Sequence, residues 1–328
     1  MSINQVFQQR IGYLGDLMPL LSRICSDYKI GNYLTHSIIP MGYEDLNLII
    51  ETDSHRYFVK IFAKSREDKD CQRLIDIILA TGHAEVDQPE IYPFNKDKFL
   101  YKKEINGIPI RLCVMQHIKG KTFFELEVKP SIEEAELIIE NAARINSINL
   151  KPSFVYDSWA IINFLNEYGQ KKQYLKDVEK IIMDKLADEL SSLSIQDLPY
   201  CFVHGDLIKT NIMRDNLGSI YILDYSVANY YPRIQELAVL FCDFLFDKDS
   251  LSDFNKMFDF IINEYQRSQK LKEIELKTLP LFIKLAHAMH VLCATYEKEV
   301  KNNQTKENEY FLNIGRIGLL YTTKHWQY

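Results

Sequence analysis

The chain has 328 residues, 47 % of them hydrophobic, enough for a sizeable core in one large domain or two lobes. Its formal net charge of −6, with 26 % charged residues, argues against a nucleic-acid binder that works through a basic, phosphate-neutralising surface. No apolar run is expected to span a membrane, and MSINQVFQQR lacks the apolar core of a secretory leader. Six scattered cysteines without a CxxC read as buried free thiols of a reducing cytoplasm.

Residues 3–28 carry apolar side chains at Val6, Ile11, Leu14, Leu17, Leu20, Leu21 and Ile24, which predicts one or two helices closed by Lys29-Ile30-Gly31-Asn32. Three strands are predicted next, over 33–40, 46–51 and 57–62, with turns at 41–45 and 52–55. Lys60 sits inside the apolar run Phe58-Val59-Lys60-Ile61-Phe62, and a lysine turned inward from such a strand needs a partner. Residues 65–82 read as a helix with Cys71, Leu74, Ile75, Ile78 and Leu79 on one face. A hairpin is predicted from 100–104 and 108–117 around Asn106-Gly107, and the chain leaves the sheet toward Gly120.

Beyond Gly120, glycine becomes sparse and helical periodicity dominates. Ser131-Ile132-Glu133-Glu134 has the form of a capping box opening a helix to about residue 149. Further helices are predicted over 158–167 and 172–193. The expected organisation is therefore α+β: a strand-rich N-terminal lobe, 1–118, and a mostly helical C-terminal lobe, 119–328.

The segment CFVHGDLIKTNIMRDNLGSIYILDYSVANYYPRIQELAVLFCDFLF, residues 201–246, carries the chemistry. A short apolar run delivers His204-Gly205-Asp206, and Asn211 follows five residues after Asp206. Asp215-Asn216-Leu217-Gly218 is a turn signal, and Ile220–Leu223 is the return strand that ends at Asp224. Closing that hairpin brings Asn211 and Asp224 to the same end of two paired strands. Phosphoryl transfer needs a carboxylate that orients and deprotonates an attacking hydroxyl. It also needs a carboxylate and an amide oxygen that hold Mg²⁺ against nucleotide phosphates. Asp206, Asp224 and Asn211 suit those roles. After this segment, Tyr231-Pro232-Arg233-Ile234 leads into a helix carrying Glu236, and helices are predicted over 251–266, 274–298 and 308–323. His287 and His290 read as packed core histidines, since no third metal ligand is in view.

HGDxxxxN followed by a hydrophobic strand and Asp resembles the aminoglycoside phosphotransferase and choline kinase superfamily, which shares its fold with the protein kinases. Gly205 stands where protein kinases have Arg, and Asp224-Tyr225-Ser226 stands for DFG. The resemblance implies a bilobal kinase-like fold and transfer of the γ-phosphate of ATP or GTP to a small hydroxylated acceptor, with Mg²⁺ as cofactor. It places the turn with Met41 and Gly42 over the phosphates, although that turn holds one glycine rather than GxGxxG. It makes Lys60 the phosphate lysine and asks for an acidic partner on the next helix: Asp76, with Glu67 and Asp70 as alternatives. It makes the backbone at Gln116 and Ile118 the purine hinge, gives Glu236 a bracing role beneath the catalytic loop, and walls the acceptor pocket with the C-terminal helices. Arg233 is expected to pair with Glu236, or else to meet an anionic substrate. Lys209 stands open between phosphate, acceptor and solvent. No dense acidic cluster in the last hundred residues points to an aminoglycoside. Two other readings share the segment: a kinase acting on protein Ser/Thr, and a non-catalytic nucleotide-binding regulator.

Overall fold

The computed structural model describes residues 3–39 and 45–326. The chain divides into two compact units, Met1–Gly120 and Lys121–Tyr328. The first is built on an antiparallel sheet and the second is mostly helical, an α+β arrangement of the kinase-like kind.

The N-terminal unit opens with α1 (Ile3–Ile11) and α2 (Leu17–Tyr28). Asp16 starts α2 by accepting the Met18 N–H, and Lys29 in the left-handed region closes it. The sheet follows as β1 (Tyr33–Ile39), β2 (Leu46–Thr52) and β3 (Arg56–Ile61), then α3 (Asp68–His83), β4 (Ile91–Tyr92), β5 (Tyr101–Ile105) and β6 (Ile108–Gln116). β6 pairs with β3, β4 and β5, so the order is β1-β2-β3-β6-β4, with β5 also pairing with β6. Alternate residues Leu46, Leu48 and Ile50 of β2 are buried with Leu20, Leu21 and Ile24 of α2, the period-2 pattern of a half-covered sheet. The β5–β6 turn uses Asn106 and Gly107 at φ +54° and +77°, the doubly left-handed turn that matches strand twist.

The C-terminal unit holds β7 (Gly120–Thr122), α4 (Phe123–Leu126), α5 (Ile132–Ser147), α6 (Phe164–Lys171), α7 (Asp177–Ser191), β8 (Tyr200–Val203), β9 (Ile212–Asp215), β10 (Ile220–Ile222), β11 (Asn229–Pro232), α8 (Ile234–Leu240), α9 (Phe254–Ser268), α10 (Glu273–Lys301) and α11 (Lys306–Lys324). The capping box at Ser131 and Glu134 forms at the start of α5. The helix predicted over 158–167 starts only at Phe164. Asp157 accepts the Trp159 N–H at 2.9 Å, and Asn163 donates to the Asp157 carbonyl at 2.7 Å. Those side-chain bonds replace the first helical turn. α10 is long and apolar enough by composition to cross a membrane, contrary to the expectation that no segment would be. Its middle, from Leu285 to Thr295, is buried throughout, and it packs against α6, α7, α8 and α11 as a core helix. α11 comes close enough that a Cβ built on Gly318 would overlap the His287 ring, and one on Gly315 would lie 2.7 Å from the His290 Cβ.

Candidate active site

β8 ends at Val203, and His204 begins a loop whose backbone is bonded at nearly every step. Wholly buried Glu236, on the first turn of α8, accepts the N–H groups of His204 (2.8 Å) and Gly205 (2.9 Å). His204 Nδ1 accepts the Asp206 N–H at 3.2 Å, which requires the neutral imidazole with its proton on Nε2. That Nε2 donates to the Leu223 carbonyl at 2.9 Å. One ring thus ties the Asp206 loop to the residue before Asp224. Burial lowers the His204 pKa to about 4, so the neutral form persists at neutral pH. The same effect raises Glu236 to about 7, against the pull of the two N–H donors. Gly205 sits at φ +84°, a conformation costly to residues with a Cβ.

Asn211 closes the loop. Its Nδ2 donates to the Asp206 carbonyl (3.0 Å) and to Asp206 Oδ2 (2.8 Å), which leaves Asn211 Oδ1 as its remaining acceptor. β9 and β10 pair with Ile212 opposite Ile222, and the Leu223 N–H donates to the Asn211 carbonyl at 2.8 Å. The hairpin therefore sets Asn211 beside Leu223, one residue from Asp224. Asp224 lies at φ +58°, where a non-glycine residue is strained by roughly 1–3 kcal/mol, and it is solvent-exposed. The Asp206 pKa is raised, first by burial, then by the negative charges of Asp157 and Asp224. An exposed carboxylate and an amide oxygen at one hairpin end form an oxygen donor set suited to Mg²⁺.

The sequence reading missed three acidic residues around this loop. Asp243, wholly buried in a π-helical turn (Phe241–Leu245), accepts the Lys209 N–H at 2.5 Å. Asp157 and Glu307 act electrostatically on Asp206 from elsewhere in the chain. Their positions, about 50 residues before and 100 after Asp206, left no local signal. Lys209 places its ammonium 5.5 Å from the centre of the Tyr310 ring, and burial lowers its pKa. Arg233 does not reach Glu236. It forms a forked ion pair with Glu275, at 2.9 and 2.6 Å, and bonds Gln269 and the Lys270 carbonyl. Glu236 is occupied by the loop N–H groups, so Arg233 takes the carboxylate on α10. His287 and His290 are core residues with Nδ1 atoms 2.9 and 3.5 Å from Cys242 Sγ. Among the described residues, no group of three His, Cys, Asp or Glu side chains could hold a metal ion.

In the N-terminal unit, Lys60 on β3 is buried and pairs with Asp45 at 3.4 Å. Asp45 also accepts the Ala63 N–H (2.9 Å) and Arg66 Nε (3.0 Å). The expected partner Asp76 faces solvent and accepts from Gln72 at 2.8 Å. α3 buries Cys71, Leu74, Ile75 and Ile78, which turns Asp76 outward. Glu67 and Asp70 are engaged in the capping box of α3. Gln116 gives its N–H to the Glu90 carbonyl at 2.7 Å; the Ile118 carbonyl accepts from Gly120, and no described residue takes the Ile118 N–H. Met41 and Gly42 lie outside the described residues.

Comparison with known proteins bears on the fold and the family. Among curated proteins, none matches by sequence. Three solved structures share the fold at low identity. A microcompartment-associated aminopropanol kinase has a TM-score of 0.69 at 13 % identity, over 94 % of this chain and 97 % of that one. The amicoumacin kinase hAmiN, in complex with AMP-PNP, Ca²⁺ and Ami, gives 0.66 at 15 %, over 95 % and 94 %. The choline kinase LicA from Streptococcus pneumoniae gives 0.63 at 13 %, over 92 % and 98 %. A sequence profile carries further than these distant likenesses: it matches residues 35–262, and the chain belongs to the phosphotransferase enzyme family APH.

Proposed function

We propose that this phosphotransferase moves the γ-phosphate of ATP or GTP to a hydroxyl of a small molecule. The observation that carries the reading is the arrangement of Asp206, Asn211 and Asp224, tied together by His204 and by the β9–β10 hairpin. Asp206 orients the acceptor hydroxyl and takes its proton as the oxygen attacks phosphorus. A raised pKa suits a base working near neutrality. Asn211 steers Asp206 through its Nδ2 and presents Oδ1 toward a metal, with Asp224 as the second ligand. Mg²⁺ held there would neutralise charge on the phosphates. Lys60 gives the phosphates a second positive contact, exchanging its contact with Asp45 for nucleotide oxygens. The backbone at Gln116 and Ile118 meets the purine. All six cysteines are free, which supports a reducing, cytoplasmic setting.

Calorimetric titration with ATP and GTP, with and without Mg²⁺, tests the metal assignment. Wild type should bind nucleotide at least about tenfold more tightly with Mg²⁺, and Asp224→Ala should lose that gain. Metal-independent binding by both proteins would remove Asn211 and Asp224 from the metal site.

A further inference from the structure

Three segments of the N-terminal unit meet at Asp45. Asn47 faces Lys60 across the β2–β3 ladder, and Asp45 lies two residues before it, just ahead of β2. Asp45 Oδ1 accepts the Ala63 N–H at 2.9 Å and Arg66 Nε at 3.0 Å, both from the loop that leaves β3. Asp45 Oδ2 faces the Lys60 ammonium at 3.4 Å. The Arg66 N–H closes the loop by donating to the Ala63 carbonyl at 3.0 Å. From the end of α1, Arg10 donates to the Asp45 carbonyl at 3.1 Å, and the Arg10 carbonyl accepts the Lys64 N–H at 2.9 Å. Asp45 and Lys60 are buried, at 5 % and 7 % exposure, and the Arg66 side chain is largely covered.

The two cations on this carboxylate are not equivalent. Arg66 makes a true hydrogen bond, to the oxygen that also takes the Ala63 N–H. Lys60 stands at the other oxygen, beyond ordinary hydrogen-bond length. Breaking a buried ion pair is costly because it leaves a charge uncompensated in a poorly solvated place. With Arg66 and the Ala63 N–H in position, Asp45 keeps a counter-charge and two donors when Lys60 departs. With Arg66 gone, the departure of Lys60 would strip the carboxylate of both cations that face it.

We propose that Arg66 is a positioning residue for phosphoryl transfer: by holding Asp45, it releases Lys60 to the nucleotide phosphates. The inference rests on Lys60 being the phosphate lysine. α3 does not take over the role of Asp45, since Asp76 faces solvent and Glu67 and Asp70 serve the helix cap. Nucleotide affinity then contains the difference between Lys60 on phosphate and Lys60 on Asp45, and Arg66 weakens the second of these. Arg66 touches no nucleotide; it acts through Asp45 on Lys60.

The test is calorimetric titration of the full chain with Mg²⁺ and ATP or GTP, whichever binds more tightly, and with the matching nucleoside. Lys60→Met should raise the nucleotide Kd about tenfold or more. Arg66→Gln should also raise it about tenfold or more, yet leave the nucleoside Kd within about twofold, because a nucleoside offers Lys60 no phosphate. Asp45→Asn keeps an oxygen for the Ala63 N–H and removes the charge that retains Lys60. Added to Arg66→Gln, it should bring the nucleotide Kd back to within about threefold of wild type. A merely structural Arg66 would show no such repair: Arg66→Gln would lower Tm and weaken nucleotide and nucleoside alike. An Arg66→Gln Kd equal to wild type, or a double variant no tighter than Arg66→Gln, would overturn the proposal. Lys60 would remain the phosphate lysine if Lys60→Met still weakens nucleotide. Lys60→Met binding as tightly as wild type would overturn that reading and the proposal with it.

Discussion

His204 joins the two halves of the catalytic segment, and its value lies in staying neutral. Its folded pKa, about 4, is below the ordinary value of 6.5. Its contribution is therefore complete above pH 6.5 and is lost as pH falls through 4. A displacement of that size corresponds to about 3 kcal/mol. Glu236, raised to about 7, works the other way, losing stability as pH rises from 4.5 through 7. The pH profile of the wild type alone mixes the two. Urea unfolding at pH 7 and pH 4 should show the wild type losing about 3 kcal/mol more than His204→Gln. Equal acid sensitivity would remove the neutral-imidazole bridge. Glu236→Ala should lower stability by about 3 kcal/mol at pH 7, because two buried N–H groups lose their acceptor. At this scale the motif residues were legible, since HGD, Asn211 and Asp224 are close in sequence. Asp157, Asp243 and Glu307 were not, because only the fold gathers them. The partner of Lys60 was misread for a related reason. Asp45 sits just before β2, whereas the family resemblance points to the helix after β3.

Elements were legible where periodicity was long and unopposed. α2, α5, α9, α10 and α11 follow their apolar spacing, and the Asn106-Gly107 turn follows its residue types. β4 and β11 were missed because two and four residues carry too little alternation. The helix expected over 158–167 lost its first turn to Asp157 and Asn163, whose side chains compete for backbone groups. That failure marks the segment carrying Asp157. The α10–α11 contact depends on Gly315 and Gly318, a pattern the sequence did not announce. Gly318→Ala should therefore destabilise the protein by about 1–3 kcal/mol in denaturant unfolding, although alanine is the better helix former. A variant as stable as wild type would mean the helices separate at little cost.

For the whole molecule, the sequence carried the class and the family, and the acceptor was written in neither. A sheet-based unit bears Lys60, and a helical unit bears Asp206, Asn211 and Asp224. The family motif lies in one segment of the helical unit, so it survives as a readable string. The surroundings of Asp206 draw on residue 157 and on Glu307 at the start of α11, with packing rather than any motif deciding what meets there. The central claim is that Asp206 serves as the base of a Mg²⁺-dependent phosphoryl transfer to a small hydroxyl compound. The most direct measurement is transfer of labelled γ-phosphate from ATP or GTP to pooled hydroxylated acceptors, comparing wild type with Asp206→Asn. Wild type should label an acceptor only with Mg²⁺, and Asp206→Asn should be slower by about 10²–10⁴ in kcat with nucleotide affinity nearly unchanged. Equal rates in the two proteins would contradict the account.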